Sequence, residues 1–238
     1  MNYTTLFETI KGYLENDFPA SAFTDSAGTG TATLTSTEQV NTFITQAEQR
    51  IFNTVQFPSI RKNVTGAVTS GNKYLSAPTD FLAVYSLAIV DGTGAYSYLL
   101  NKDVNFIREA YPTPTDAGLP AYYALFGPTV QNDTISNELS FILGPTPDDT
   151  YTVELHYYYY PESITTAASG QTWLGDNFDS VLLYGSLVEG YTFMKGEADL
   201  IANYNAKYME ALGMAKRLGD GMERGDAYRD GQYRQKVT

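Results

Sequence analysis

Apolar side chains recur at helical spacing near both ends of the chain and at alternate positions between them. Leu6, Ile10, Tyr13 and Leu14 share one face of a helix predicted over 3–17. Val40, Phe43, Ile44, Ala47, Ile51 and Val55 form a second 3.6-period stripe. Ser36 is its expected cap, Gln39 stands where a capping-box partner belongs, and Phe57-Pro58 ends it. The run Thr24-Asp25-Ser26-Ala27-Gly28-Thr29-Gly30-Thr31 between these helices reads as loop.

From about residue 61 the period becomes two. Val64, Gly66 and Val68, then Tyr74, flank Ser70-Gly71-Asn72 and predict a hairpin. Strands are expected at 81–90 and 95–100 around Asp91-Gly92-Thr93-Gly94, then a short helix over 103–110 ended by Pro112. Further strands are predicted at 121–126, 138–143 and 151–160. In the last, Tyr151, Val153, Leu155, Tyr157 and Tyr159 share a face. Short strands in succession, with few helices among them, imply an antiparallel sandwich or barrel.

After Trp173 the helical period returns. Residues 177–195 are apolar over most of their circumference, residues 198–218 carry a stripe from Ile201 to Leu218, and Gly196 leaves almost no linker. This predicts an antiparallel helical hairpin, which needs the N-terminal helices to cover it. The expected fold is α+β: a helical bundle from 1–60 and 174–218, an inserted β domain over 61–173, and an extended tail, 219–238, held by a partner.

Composition narrows the chemistry. There are 238 residues and no cysteine, which removes thiolate catalysis and disulfides; one histidine, His156, removes His-cluster metal sites. No cofactor or metal is expected. No basic-then-apolar leader and no run of roughly 20 apolar residues is found, so neither signal peptide nor membrane span is predicted. The protein is expected to be soluble and made in the cytoplasm, where the sequons at Asn63 and Asn132 carry no glycan. The net charge is −12, and residues 64–173 hold 11 acidic against 3 basic side chains. Such a body does not grip phosphates, though it lets DNA pass without sticking.

No phosphate loop occurs, because Gly28-x-Gly30 lacks both the third glycine and a lysine. Ser59-Ile60-Arg61-Lys62 matches Ser-x-x-Lys without its companion motifs. Asp148-Asp149 follows Pro145-Thr146-Pro147 and reads as a turn rather than a calcium loop. No complete catalytic motif is present, so the expectation is a protein that is not an enzyme. Tyrosine is the informative residue, at 20 against 12 Phe and 1 Trp, since it joins apolar area to a polar tip. Tyr157 to Tyr160 puts tyrosines on both faces of one strand. His156, Tyr158 and Tyr160 are therefore candidates for a subunit interface, with a glycan-stacking surface as the alternative.

Several ordered stretches resemble the head-to-tail adaptor family of tailed phages, which includes the tail tubular A proteins. They are Leu119-Pro120-Ala121-Tyr122-Tyr123-Ala124-Leu125, Leu139 to Pro147, Tyr151 to Pro161, Thr172-Trp173-Leu174, and Phe178 to Phe193 with Leu182-Leu183-Tyr184-Gly185-Ser186-Leu187. The order coincides over about 119–215. The resemblance implies a ring, commonly of twelve copies, joining portal to tail and letting DNA through. It also implies that the C-terminal segment docks on the portal and the β domain faces the next tail or nozzle protein. Arg217, Met222, Arg224, Tyr228, Arg229, Tyr233 and Arg234 are the portal-contact candidates on that reading. A different neck or tail-hub component is the nearest alternative.

Overall fold

The computed structural model describes residues 1–24, 31–55, 57–113, 115–127, 129–131, 134–137 and 139–223. The helices are α1 (Tyr3–Leu14), α2 (Ser36–Thr54), α3 (Val104–Ala110), α4 (Trp173–Asn177), α5 (Asp179–Phe193) and α6 (Ala198–Glu223). The strands are β1 (Ser21–Thr24), β2 (Thr31–Leu34), β3 (Arg61–Val68), β4 (Tyr74–Ser76), β5 (Ala83–Val90), β6 (Tyr96–Tyr98), β7 (Leu100–Asn101), β8 (Tyr122–Phe126), β9 (Thr129–Gln131), β10 (Thr134–Asn137), β11 (Ser140–Gly144) and β12 (Tyr151–Tyr158). The chain divides into two units, one of residues 1–60 with 161–238 and one of 61–160. Residues 161–173, expected in the β domain, fall in the helical unit.

In the helical unit, α5 packs against α1, α2, α4 and α6. Its sequence explains that central place: Val181, Leu182, Leu183, Leu187 and Val188 are all buried, on more than one side of the helix. Gly190 lets α1 and α2 come close, since a Cβ there would meet Leu14 Cδ1 at 2.5 Å and Phe43 Cδ2 at 3.5 Å. The helix expected over 177–195 is observed as α5, and a separate short helix, α4, precedes it, capped by Thr172, whose side chain accepts from the Gly175 N–H at 3.2 Å.

The cap of α2 lies one residue earlier than the sequence pattern placed it. Thr35 is extended, its side chain accepts from the Glu38 N–H at 3.2 Å, and the Glu38 carboxylate accepts from the Thr35 N–H at 2.8 Å. A carboxylate beats the Gln39 amide here because it also complements the positive helix end. Gln39 is instead buried and donates toward the carbonyls of Phe18, Pro19 and Leu34. That ties down both ends of the 19–34 excursion. Within it, β1 and β2 pair antiparallel, so Thr24 and Thr31 belong to strands rather than to the expected loop.

The second unit holds two four-stranded sheets, ordered β3-β12-β5-β6 and β4-β11-β8-β7. Both are open, so neither is a barrel, and all pairs are antiparallel except β7 with β8. The expected 64–74 hairpin is not formed, because β3 pairs with β12 while β4 pairs with β11. The turn at Ser70-Gly71-Asn72 thus passes the chain from one sheet to the other. Val68, Leu87, Ile89, Val153, Leu155 and Tyr157 of the first sheet share a buried cluster with Tyr123, Phe141 and Leu143 of the second. Ile107 of α3 packs with Ala124 and Ile142 on the second sheet's other face, so every residue of β11 is buried. Beyond β8 and β11 the hairpin continues as β9 and β10, with Asn137 opposite Thr129 and Ile135 opposite Val130.

Candidate interaction surfaces

The strand β12 presents two faces because successive side chains alternate. Val153, Leu155 and Tyr157 are buried in the shared core, while Thr152, Glu154, His156 and Tyr158 point the other way. Their cross-strand partners on β3 are Ala67, Thr65, Asn63 and Arg61. On β5, Ala88 stands beside Glu154 and Ser86 beside His156; Tyr98 of β6 lies opposite Ala88. The β12–β5 register shifts between His156 and Tyr157, which leaves Tyr85 as the extra residue of a bulge.

This outer face carries a connected polar row. Asn63 Nδ2 donates to Glu154 Oε1 at 2.5 Å, and His156 Nε2 lies 3.3 Å from the same oxygen. On its far side His156 Nδ1 is 3.2 Å from Ser86 Oγ. Hydrogen bonds from Asn63 and Tyr96, then the neighbouring His156, hold the Glu154 carboxyl below its ordinary value. The same bond to Glu154 pushes the Tyr96 phenol up. Together Ser86, Ala88, Tyr96, Tyr98, Glu154 and His156 line a hollow of about 230 Å³. Next to it Tyr158 meets Tyr85 edge-on at 6.0 Å, and the Arg61 guanidinium sits 4.7 Å above the Tyr85 ring.

A serine, an imidazole and a carboxylate in sequence invite comparison with nucleophilic catalysis. Acyl transfer needs donors converging on a developing negative charge. Here the carboxylate itself lines the hollow beside the serine and would oppose that charge. The arrangement is suited to binding, and its electrostatics favour a positive group. Among the described residues no cluster of His, Cys, Asp or Glu could hold a metal ion.

Of the candidates taken from sequence, His156 and Tyr158 lie together on this face, and Tyr160, 38% exposed, follows just beyond the strand. Glu154, Asn63, Ser86, Tyr85, Tyr96 and Tyr98 were missed. Tyr96-Ser97-Tyr98 carries the alternation that would have found two of them, placing both rings on one face after a turn. Arg217 is exposed on α6. Met222 also lies on α6, which runs through Glu223, so the start of the expected extended tail at 219–223 is helical. The run Lys216 to Glu223 continues the helix despite Gly219 and Gly221, and Gly219 is buried. Arg224, Tyr228, Arg229, Tyr233 and Arg234 lie outside the described residues.

A protein-family profile for the SU10 adaptor protein matches residues 1–234. The chain belongs to the SU10 adaptor protein family. The match takes in both units and reaches well beyond the 119–215 stretch that carried the resemblance to phage head-to-tail adaptors, and it agrees with that resemblance. A search of curated proteins finds no match. Among the described residues of this adaptor-family chain, no helix is long and apolar enough to cross a membrane.

Proposed function

We propose that this chain is a structural component of a phage particle, a head-to-tail adaptor that forms a ring between portal and tail and surrounds the path of the DNA. The observation that carries the reading is the family match across 1–234. On this reading a helical bundle, built from both ends of the chain, bears the two-sheet unit as an inserted sandwich. The ring has about twelve copies, and the protein has no catalytic role. The outer face of β12, with His156, Tyr158 and the neighbouring Tyr160, lies between copies. The segment after α6 docks on the portal through Arg224, Tyr228, Arg229, Tyr233 and Arg234, with Arg217 and Met222 at its root. Arginine and tyrosine are the residue types that anchor such interfaces.

Mass measurement of the purified chain with and without portal protein tests this. A closed ring that forms on portal, and is lost when residues 224–238 are deleted, is the expected result. A chain that ignores portal, or a truncated chain that binds it unchanged, would refute the docking role.

A further inference from the structure

Glu154 forms the negative centre of the hollow beneath Tyr96 and Tyr98. Its side chain is only 17% exposed, and Asn63, Tyr96 and His156 orient it. Among the described residues its only ion pair is with His156, which is charged only when protonated. The Asn63 amide therefore holds the carboxylate in place, and among the described residues no lysine or arginine pairs with it to cancel its charge. Directly beside it Tyr96 and Tyr98, at positions i and i+2 of an edge strand, are 58% and 64% exposed. Rings so exposed are accessible to an incoming group, and an aromatic face attracts a cation.

We propose that this hollow is a receptor for a guanidinium group, filled in the assembled particle by an arginine side chain of a protein partner. The proposal rests on the adaptor reading only for its setting; its chemistry follows from the residues themselves. A hollow of about 230 Å³ holds a planar head and part of its stem, not an extended chain. Arginine fits better than lysine because a flat, weakly hydrated fork can stack on a phenol ring while bonding a carboxylate. The same face already uses that stacking, with Arg61 over Tyr85. Long-range charge also draws a basic partner, since residues 61–160 hold 10 acidic and 5 basic side chains.

His156 lines the hollow and is the chain's single histidine, so its imidazole C–H resonance reports occupancy without further assignment. The full chain is titrated with N-acetyl-arginine amide at about pH 8. The neutral citrulline analogue and glucose serve as comparisons. A saturable shift with the arginine compound alone is expected. Glu154→Gln should weaken it at least about tenfold, as a charge-assisted pair becomes a neutral one. Tyr98→Ala, an exposed edge substitution, should weaken it several-fold with far-UV circular dichroism unchanged. No saturable shift, or an equal shift with citrulline or glucose, overturns the proposal. Ring formation is read separately by mass, so either reading can fail while the other stands.

Discussion

Glu48 is a carboxylate on α2 that is only 3% exposed. It accepts from the Ile164 N–H at 3.0 Å and so fastens the 161–170 segment to the helices. Burial pushes its carboxyl up, against the opposing bonds from Ile164 and Ser163. A folded-state value above the unfolded one means the stabilising contribution is complete below the ordinary carboxylate range. It is lost as pH rises through the raised value. Glu48→Gln keeps an acceptor for Ile164 and never ionises. The mutant's melting temperature should therefore gain on the wild type as pH goes from about 4 to 7, because all other carboxylates cancel in the difference. Glu48→Ala leaves the Ile164 N–H without its acceptor and should cost about 1–3 kcal/mol near pH 4, a cost that shrinks toward pH 7 as the wild type loses its own contribution. Calorimetry across that range checks both, and a Gln-minus-wild-type gap that stays flat with pH would exclude ionisation of the buried carboxyl.

Elements were legible in the chain where one physical signal dominated. The stripes of α2 and α6, the β5–β6 hairpin around Asp91 to Gly94, and the alternation of β12 all follow from periodicity. What periodicity cannot carry is the choice of strand partner. Val64 to Tyr74 has the pattern of a hairpin, yet the partners of β3 and β4 come from residues 140–158. The polar hollow was hidden for the same reason. Ser86, Tyr96 and Glu154 are brought together only by the order β12-β5-β6. Glycines in helices were likewise ambiguous in sequence, though their surroundings separate them clearly. A Cβ at Gly213 of α6 meets nothing within 4 Å, whereas one at Gly190 of α5 meets Leu14 at 2.5 Å. Replacing glycine by alanine in a helix gains up to about 1 kcal/mol, and overpacking a core costs about 1–3. Gly213→Ala should therefore raise the melting temperature. Gly190→Ala should fail to raise it, and Gly190→Val should lower it by several degrees. Thermal denaturation of the three variants decides the matter, and a stabilised Gly190→Val would show that α1 and α5 are not held so close.

At the scale of the whole molecule, the strands that begin and end the second unit lie side by side. Arg61 opens β3 and is the cross-strand partner of Tyr158, near the unit's last residue, Tyr160. Opposed residues of an antiparallel pair are about 5 Å apart, so this unit can be inserted without separating the residues on either side of it. Both of its buried clusters draw only on residues 64–159. The helical unit likewise buries Leu6, Ile10, Ile44, Ala47, Ile51, Leu182 and Leu187 from its own two segments. Each unit carries a buried apolar set drawn from its own residues, so each should fold alone. Residues 61–160 expressed by themselves should melt cooperatively, with an unfolding enthalpy of about 60–80 kcal/mol for a domain of that length. Joining residue 60 to 161 through a few Gly and Ser residues should leave the helical signal of 1–60 and 161–238 intact, since the bridged gap is short. Calorimetry and near-ultraviolet circular dichroism of the two shortened chains test the claim. A 61–160 fragment without a cooperative transition would mean that its core depends on the rest of the chain.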